Sequence, residues 1–183
     1  VCIPPGYVKR VSNAYGDKLN VCTVIGFPLG YNITETKVYE TRRVLADGAG
    51  EVDMVVNLGD VKNGEFPKIT REIEAVKKAA GNHVVKVIIE TCYLTEDEKR
   101  ELCKCVTDGG ADYIKTSTGF GTAGARIEDV RLFKRYIGEG VKIKAAGGVK
   151  TREDLEQFLE EGCERIGTSS ALKLLGGQEA GTY

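Results

Sequence analysis

The sequence of 183 residues has no surplus of either charge, no long apolar run, no paired-cysteine motif and a single histidine. Lys and Arg number 26 against 27 for Asp and Glu, and no basic tract is interleaved with aromatics, which argues against a nucleic-acid partner. The longest apolar runs are a few residues, far short of a bilayer span, so no membrane partner is expected. The opening residues do not read as a secretory leader, and Val1 in place of Met leaves the natural start open. Six cysteines (Cys2, Cys22, Cys92, Cys103, Cys105 and Cys163) make no CxxC and no zinc spacing, and His83 alone cannot complete a Cys/His site. Reduced thiols in a cytoplasmic protein, without a metal, are therefore expected. Cys2 stands apart because it falls at a strand end.

What the chain does have is repetition. Hydrophobic residues make up 42% of it, ample for one packed core. Short apolar runs alternate with amphipathic stretches: a strand tail at Val1 to Ile3, then strands at Val21 to Ile25, Val52 to Leu58, Val84 to Ile89, Tyr113 to Lys115, Val141 to Ala145 and around Arg165. Between them lie helical patterns, such as Thr34 to Ala46 and the capping-box start Thr95-Glu-Asp-Glu98. The step is about thirty residues, the size of a βαβ unit. The expectation is an α/β fold, a (β/α)8 TIM barrel with about seven βα units present, as one domain over residues 1–183. An N-terminal strand and helix are expected to be missing from the chain as given, and residues 176–183 to form a Gly-rich flexible tail.

Four strand ends carry unusual cargo. Lys115 closes an apolar strand and is followed at once by Thr116, Ser117, Thr118 and Gly119. A lysine there is either the foot of an ion pair or a nucleophilic amine. Asp53 sits inside an otherwise apolar strand, Glu51-Val-Asp-Met-Val-Val-Asn57, as a backbone-bonded carboxylate or a general acid/base. Lys144 shares a strand face with Lys142 and lies nearer the carboxyl end. Lys86 and Glu90 share a face too, and the expectation is that they pair structurally. If Lys115 and Lys144 converge, two ammoniums about 5 Å apart repel by roughly 3 kcal/mol at an effective dielectric near 20, which favours a neutral amine on one of them. A neutral amine attacks a carbonyl to form a Schiff base, with Asp53 moving protons.

Phosphate signals are separate from these. Gly147-Gly148-Val149-Lys150 ends one strand, and Gly167-Thr-Ser-Ser170 ends the next and opens a short helix. Glycine-flanked amides, the hydroxyls of Ser169 and Ser170 and a helix start suit a phosphate dianion, although each motif alone also serves as turn chemistry.

Taken together, Val21-Cys-Thr-Val-Ile-Gly-Phe-Pro-Leu-Gly30, Glu51-Val-Asp-Met-Val-Val-Asn57, Lys86-Val-Ile-Ile-Glu-Thr91, Tyr113-Ile-Lys-Thr-Ser-Thr-Gly119 and Lys144-Ala-Ala-Gly-Gly148 resemble the 2-deoxyribose-5-phosphate aldolases, class I aldolases on a (β/α)8 barrel. The resemblance implies Lys115 as the Schiff-base nucleophile, Asp53 as the proton shuttle and Lys144 as the lysine that perturbs the nucleophile. It implies Tyr183 as a proton donor from the tail. Substrate and phosphate contacts would fall on Thr118, Gly119, Gly147, Gly148, Val149, Lys150, Gly167, Ser169 and Ser170, with Cys2 and Phe27 nearby. The implied partners are a phosphosugar and acetaldehyde, with no cofactor, in a homodimer. Phe120 departs from relatives that carry a basic residue there. The alternatives are a different Schiff-base aldolase or sugar-phosphate isomerase on the same barrel, or an inactive phosphosugar-binding barrel.

Overall fold

The computed structural model describes residues 1–176. Seven parallel strands pair in chain order: β1 (Cys2–Ile3), β2 (Cys22–Ile25), β3 (Glu51–Val55), β4 (Val84–Ile88), β5 (Tyr113–Lys115), β6 (Lys142–Ala146) and β7 (Arg165–Gly167). Helices connect them: α1 (Val8–Tyr15), α2 (Thr34–Ala46), α3 (Leu58–Lys62) and α4 (Phe66–Ala80), then α5 (Glu96–Asp108), α6 (Ile127–Tyr136), α7 (Arg152–Glu160) and α8 (Ala171–Leu175).

The sheet is curled into a barrel wall. Across a flat sheet, β3 and β7 would stand about 19 Å apart, four spacings of roughly 4.8 Å. Instead the Arg165 guanidinium on β7 donates to the Glu51 carboxylate on β3 at 2.9 and 3.2 Å. Only a curved sheet with both side chains on its concave face allows that.

Strand alternation divides the residues between the two faces. Val52, Met54, Val85, Val87, Ile114, Ile143 and Ala145 point outward and join the apolar core with the helices. α4 answers with Ile69, Ile73, Val76 and Ala80, one face at helical spacing, and α5 with Leu102 and Val106. The capping box at Thr95 forms as expected, and a second forms at Thr151 with Asp154 as the reciprocal partner. The intervening strand positions, among them Glu51, Asp53, Lys86, Lys115 and Lys144, turn inward. The interior of the barrel is thus polar and the shell between sheet and helices is dry.

Two expectations need correction. The strand expected over Val52 to Leu58 ends at Val55, because the Asn57 side chain accepts from the amides of Gly59 and Asp60 and starts α3. Lys86 does not pair with Glu90. It turns into the barrel toward Glu51 and Asp53, while Glu90 lies beyond the end of β4 in a left-handed conformation, φ 55°.

A buried ion pair lies outside the barrel among the described residues. Lys37 of α2, fully buried, donates to Glu72 of α4 at 2.7 Å and to the Val55 carbonyl at 2.8 Å. Burial holds the Lys37 pKa down and pushes that of Glu72 up, against their mutual attraction. Glu72→Ala should lower the unfolding free energy by about 3 kcal/mol, since it strands a buried ammonium. Adding Lys37→Met should recover part of that loss in urea titrations. A single variant as stable as the parent would remove the pair from the account of stability.

Candidate active site

The centre of the site is the carboxylate of Asp53, which is fully buried. Lys115 and Lys144 are register partners on β5 and β6, and each donates to Asp53 Oδ2 at 2.7 Å. Lys86 donates to Oδ1 at 3.0 Å, and the Cys22 thiol donates to the same oxygen at 3.2 Å. The two ammoniums that the sequence pattern sets against each other therefore share one carboxylate oxygen between them. Burial alone would raise the Asp53 pKa, but Lys115, Lys144 and Lys86 outweigh it and hold the carboxyl well below the usual range.

A second carboxylate lies beneath. Glu51 accepts from Arg165, from Lys86 and from Asn20 Nδ2, the last at 2.8 Å. Burial would raise the Glu51 pKa, yet Lys86 and Arg165 bring it down. Lys86, bonded to both acids, is held above the ordinary lysine value by Asp53 and Glu51 despite its own burial. Four basic side chains thus face two carboxylates, an arrangement that favours an anionic ligand.

Glu51, Arg165, Lys115 and Lys144 border a cavity of about 840 Å³. Lys115 and Lys144 reach it from the strands, and Thr118, Gly119, Gly147, Gly148, Val149, Lys150, Gly167, Ser169 and Ser170 line its mouth. Cys2 and Phe27 line it as well, and Phe27 packs edge-on against Phe120 at 5.5 Å. Every site residue expected from the sequence within the described part thus borders one space, except Asp53, which is buried beneath it. Tyr183 lies outside the described residues.

Local structure explains the shape of the mouth. Gly147 and Gly148 adopt φ 81° and 77°, and a Cβ on Gly147 would come within 3.2 Å of Gly124 Cα. Only glycine keeps that loop open at no conformational cost. The loop after β5 is anchored by Glu90, whose carboxylate accepts from the amide of Thr118 at 3.1 Å and from its hydroxyl. On the last loop, Thr168 Oγ1 donates to the Val149 carbonyl at 2.8 Å and accepts from the Ser170 amide at 3.0 Å, tying together the two glycine-rich turns.

Sequence reasoning missed Glu51, Lys86 and Arg165 as members of the site, and Cys22 as a donor to Asp53. The available signal was that Glu51 and Asp53 share one strand face by period-two alternation.

Unfolded Asp53 takes up its proton near pH 4, whereas the folded carboxylate does so only in much stronger acid. Over that interval the unfolded chain binds more protons, so acid removes stability. Thermal midpoints should fall as pH drops from about 5, and Asp53→Asn should flatten the fall. An unchanged slope in the variant would assign the acid sensitivity to other carboxylates.

The sequence matches the family described as DeoC/LacD family aldolase over residues 1–176. It is 61% identical to the deoxyribose-phosphate aldolase of Clostridium botulinum (strain Alaska E43 / Type E3), over all of this chain and 83% of that protein. With the deoxyribose-phosphate aldolase of Clostridioides difficile (strain 630) the identity is 56%, over the whole chain and 84% of that protein. A solved aldolase, QR15, superposes with a TM-score of 0.92 at 40% identity, covering 97% of this chain and 80% of its own. With the parallel barrel wall and its lysine-ringed aspartate, these likenesses place the chain in the DeoC/LacD family of aldolases.

Proposed function

We propose that the chain is a class I aldolase that reversibly cleaves 2-deoxy-D-ribose 5-phosphate to glyceraldehyde 3-phosphate and acetaldehyde, with Lys115 as the Schiff-base nucleophile. The observation that carries this reading is the sharing of Asp53 Oδ2 by Lys115 and Lys144 on the cavity floor. A lysine held beside a second lysine and a carboxylate has an immediate proton acceptor and donor at hand, which Schiff-base chemistry needs at every step. The names of the relatives support the choice of sugar.

In this mechanism the Lys115 Nζ lone pair attacks C1 of the open-chain aldehyde. Loss of water from the carbinolamine gives the iminium. The hydroxyl proton at C3 is removed, the C2–C3 bond breaks, and its electron pair moves into the iminium as glyceraldehyde 3-phosphate departs. The enamine left on Lys115 is protonated at C2, and hydrolysis frees acetaldehyde. Asp53 is the group that receives and returns protons, with Lys144 holding its carboxylate in place and replacing charge as protons move.

The phosphate is proposed to rest on the glycine-rich turns at the mouth, against the amides around Gly119, Gly147, Gly148 and Gly167 and the hydroxyls of Ser169 and Ser170. Lys150 is exposed and adds charge from the rim. Its amide is already bonded to Asp154 at 3.0 Å, so the side chain alone is available.

Incubation with acetaldehyde and borohydride should leave a two-carbon adduct on the parent chain and none on Lys115→Ala. An adduct from dihydroxyacetone phosphate and none from acetaldehyde would move the assignment to a ketose-phosphate aldolase. Asp53→Asn should lower kcat by about 10²- to 10⁴-fold, the usual worth of a positioned acid/base. For the phosphate site, Gly147→Ala should raise KM for the phosphorylated sugar about tenfold, about 1.4 kcal/mol, and leave unphosphorylated deoxyribose nearly unaffected. Equal losses on both substrates would count against phosphate binding there.

A further inference from the structure

Cys2 and Cys22 are direct register partners on β1 and β2, and both side chains border the cavity. Their Sγ atoms and a carboxylate oxygen of Asp53 all lie within 4.8 Å of one another. Neighbouring parallel strands stand about 4.8 Å apart, inside the Cα window of roughly 4.4–6.8 Å that a disulfide accepts. Cys2 is exposed and Cys22 is buried, both at the level of Glu51 on β3.

We propose that Cys2 and Cys22 are a redox pair, joined by a hydroperoxide and separated by thiol reductants, whose disulfide closes down the active site. Cys2 acts first as the accessible nucleophile, and Cys22 resolves it. The Cys2 thiolate attacks a peroxide oxygen and the O–O bond breaks, giving a Cys2 sulfenic acid and, after protonation, an alcohol or water. Cys22 Sγ then attacks Cys2 Sγ, the S–O bond breaks, and hydroxide leaves as water with the Cys22 proton. Two electrons pass from the sulfurs to the peroxide, so two thiols and one hydroperoxide become a disulfide, an alcohol and water.

The surroundings separate Cys2 from the other thiols, whereas Cys22, beside Cys2 and buried near Asp53, is held as the protonated thiol. The neighbouring Cys22 thiol, helped by Lys144 and Lys115, outweighs burial and the Asp53 charge and brings the Cys2 thiol down to about 6. Burial instead pushes Cys103 up to about 12 and Cys163 up to about 11, and raises Cys105 too. The same three atoms have metal-ligand types, but Lys86, Lys115 and Lys144 already crowd Asp53 with positive charge. A neutral disulfide suits that setting better than a cation. Once linked, Cys22 has no proton to give, so Asp53 Oδ1 loses the 3.2 Å donor that helps to fix it.

Formation of the link does not depend on the aldolase reading; only the loss of turnover does. The whole chain, first reduced, is treated with graded hydrogen peroxide and blocked with iodoacetamide. Intact mass and non-reducing peptide maps are then read beside deoxyribose 5-phosphate cleavage. Expected are loss of two hydrogens, a Cys2–Cys22 peptide pair, cleavage falling in step with the linked fraction, and recovery on adding dithiothreitol. Cys22→Ser and Cys22→Ala, each compared with its own reduced form, should show no link and instead oxidise Cys2 to a sulfinic acid that dithiothreitol does not reverse. Absence of the link in the parent chain, or other cysteines linked instead, overturns the proposal. Linked protein that cleaves sugar as fast as reduced protein overturns the switch. Reduced protein that neither turns over nor forms the borohydride adduct refutes the aldolase reading, with the link still scored by mass.

Discussion

One buried carboxylate holds this interior together. Asp53 can be ionised at no exposure only because three lysines and a thiol surround it. Those lysines in turn can be buried only because the carboxylate is there. Removing the carboxylate leaves three buried ammoniums without their shared partner, so the cluster depends on Asp53. It also brings Lys115 and Lys144, from adjacent strands, together at a single oxygen. The barrel curvature is what permits the meeting, since Asp53 belongs to β3 and the two lysines to β5 and β6.

Such a cluster adds little to net stability. Buried ionic groups lose hydration that their attraction only partly restores. The stability comes from the opposite face of the same strands, where Val52, Met54, Val85, Val87, Ile114 and Ile143 are sealed against α4, α5 and α6. Each such side chain contributes about 1.5–3 kcal/mol on burial. The period-two geometry of the strand lets one segment serve both needs: its outward residues hold the fold and its inward residues are free to be chosen for charge. Lys37 and Glu72 show the contrast, for they form a buried pair between α2 and α4 at the end of β3, outside the barrel interior.

Much of this was legible in the sequence, and the failures have physical causes. The repeating strand and helix steps were plain, and Lys115, Asp53 and Lys144 stood out because a charge within an apolar strand needs a reason. Alternation told which face each residue took but not which strand it would meet across the interior. That depends on curvature and stagger, which no local pattern encodes. Lys86 and Glu90 were matched because alternation puts them on one face of the same strand. In the fold Lys86 reaches Asp53, 33 residues away, and Glu51 meets Arg165, 114 residues away. The start of α3 was hidden differently: Val55, Val56 and Leu58 read as continued strand, and only the Asn57 cap turns the chain aside.

Glu90 follows from the same logic and completes it. It holds φ 55°, an uncommon conformation for a residue with a side chain, and its carboxylate grips Thr118 through both amide and hydroxyl. Strain of this kind persists where surrounding bonds over-determine it, and here those bonds position the segment that follows Lys115. A carboxylate that looked like a partner for a lysine is used instead to set a loop. The three acids of the interior thus have separate roles. Asp53 meets Lys115 and Lys144, Glu51 balances the charge beneath them, and Glu90 shapes the rim of the cavity. Glu51 and Asp53 share Lys86, but Lys115 and Lys144 both bond Asp53.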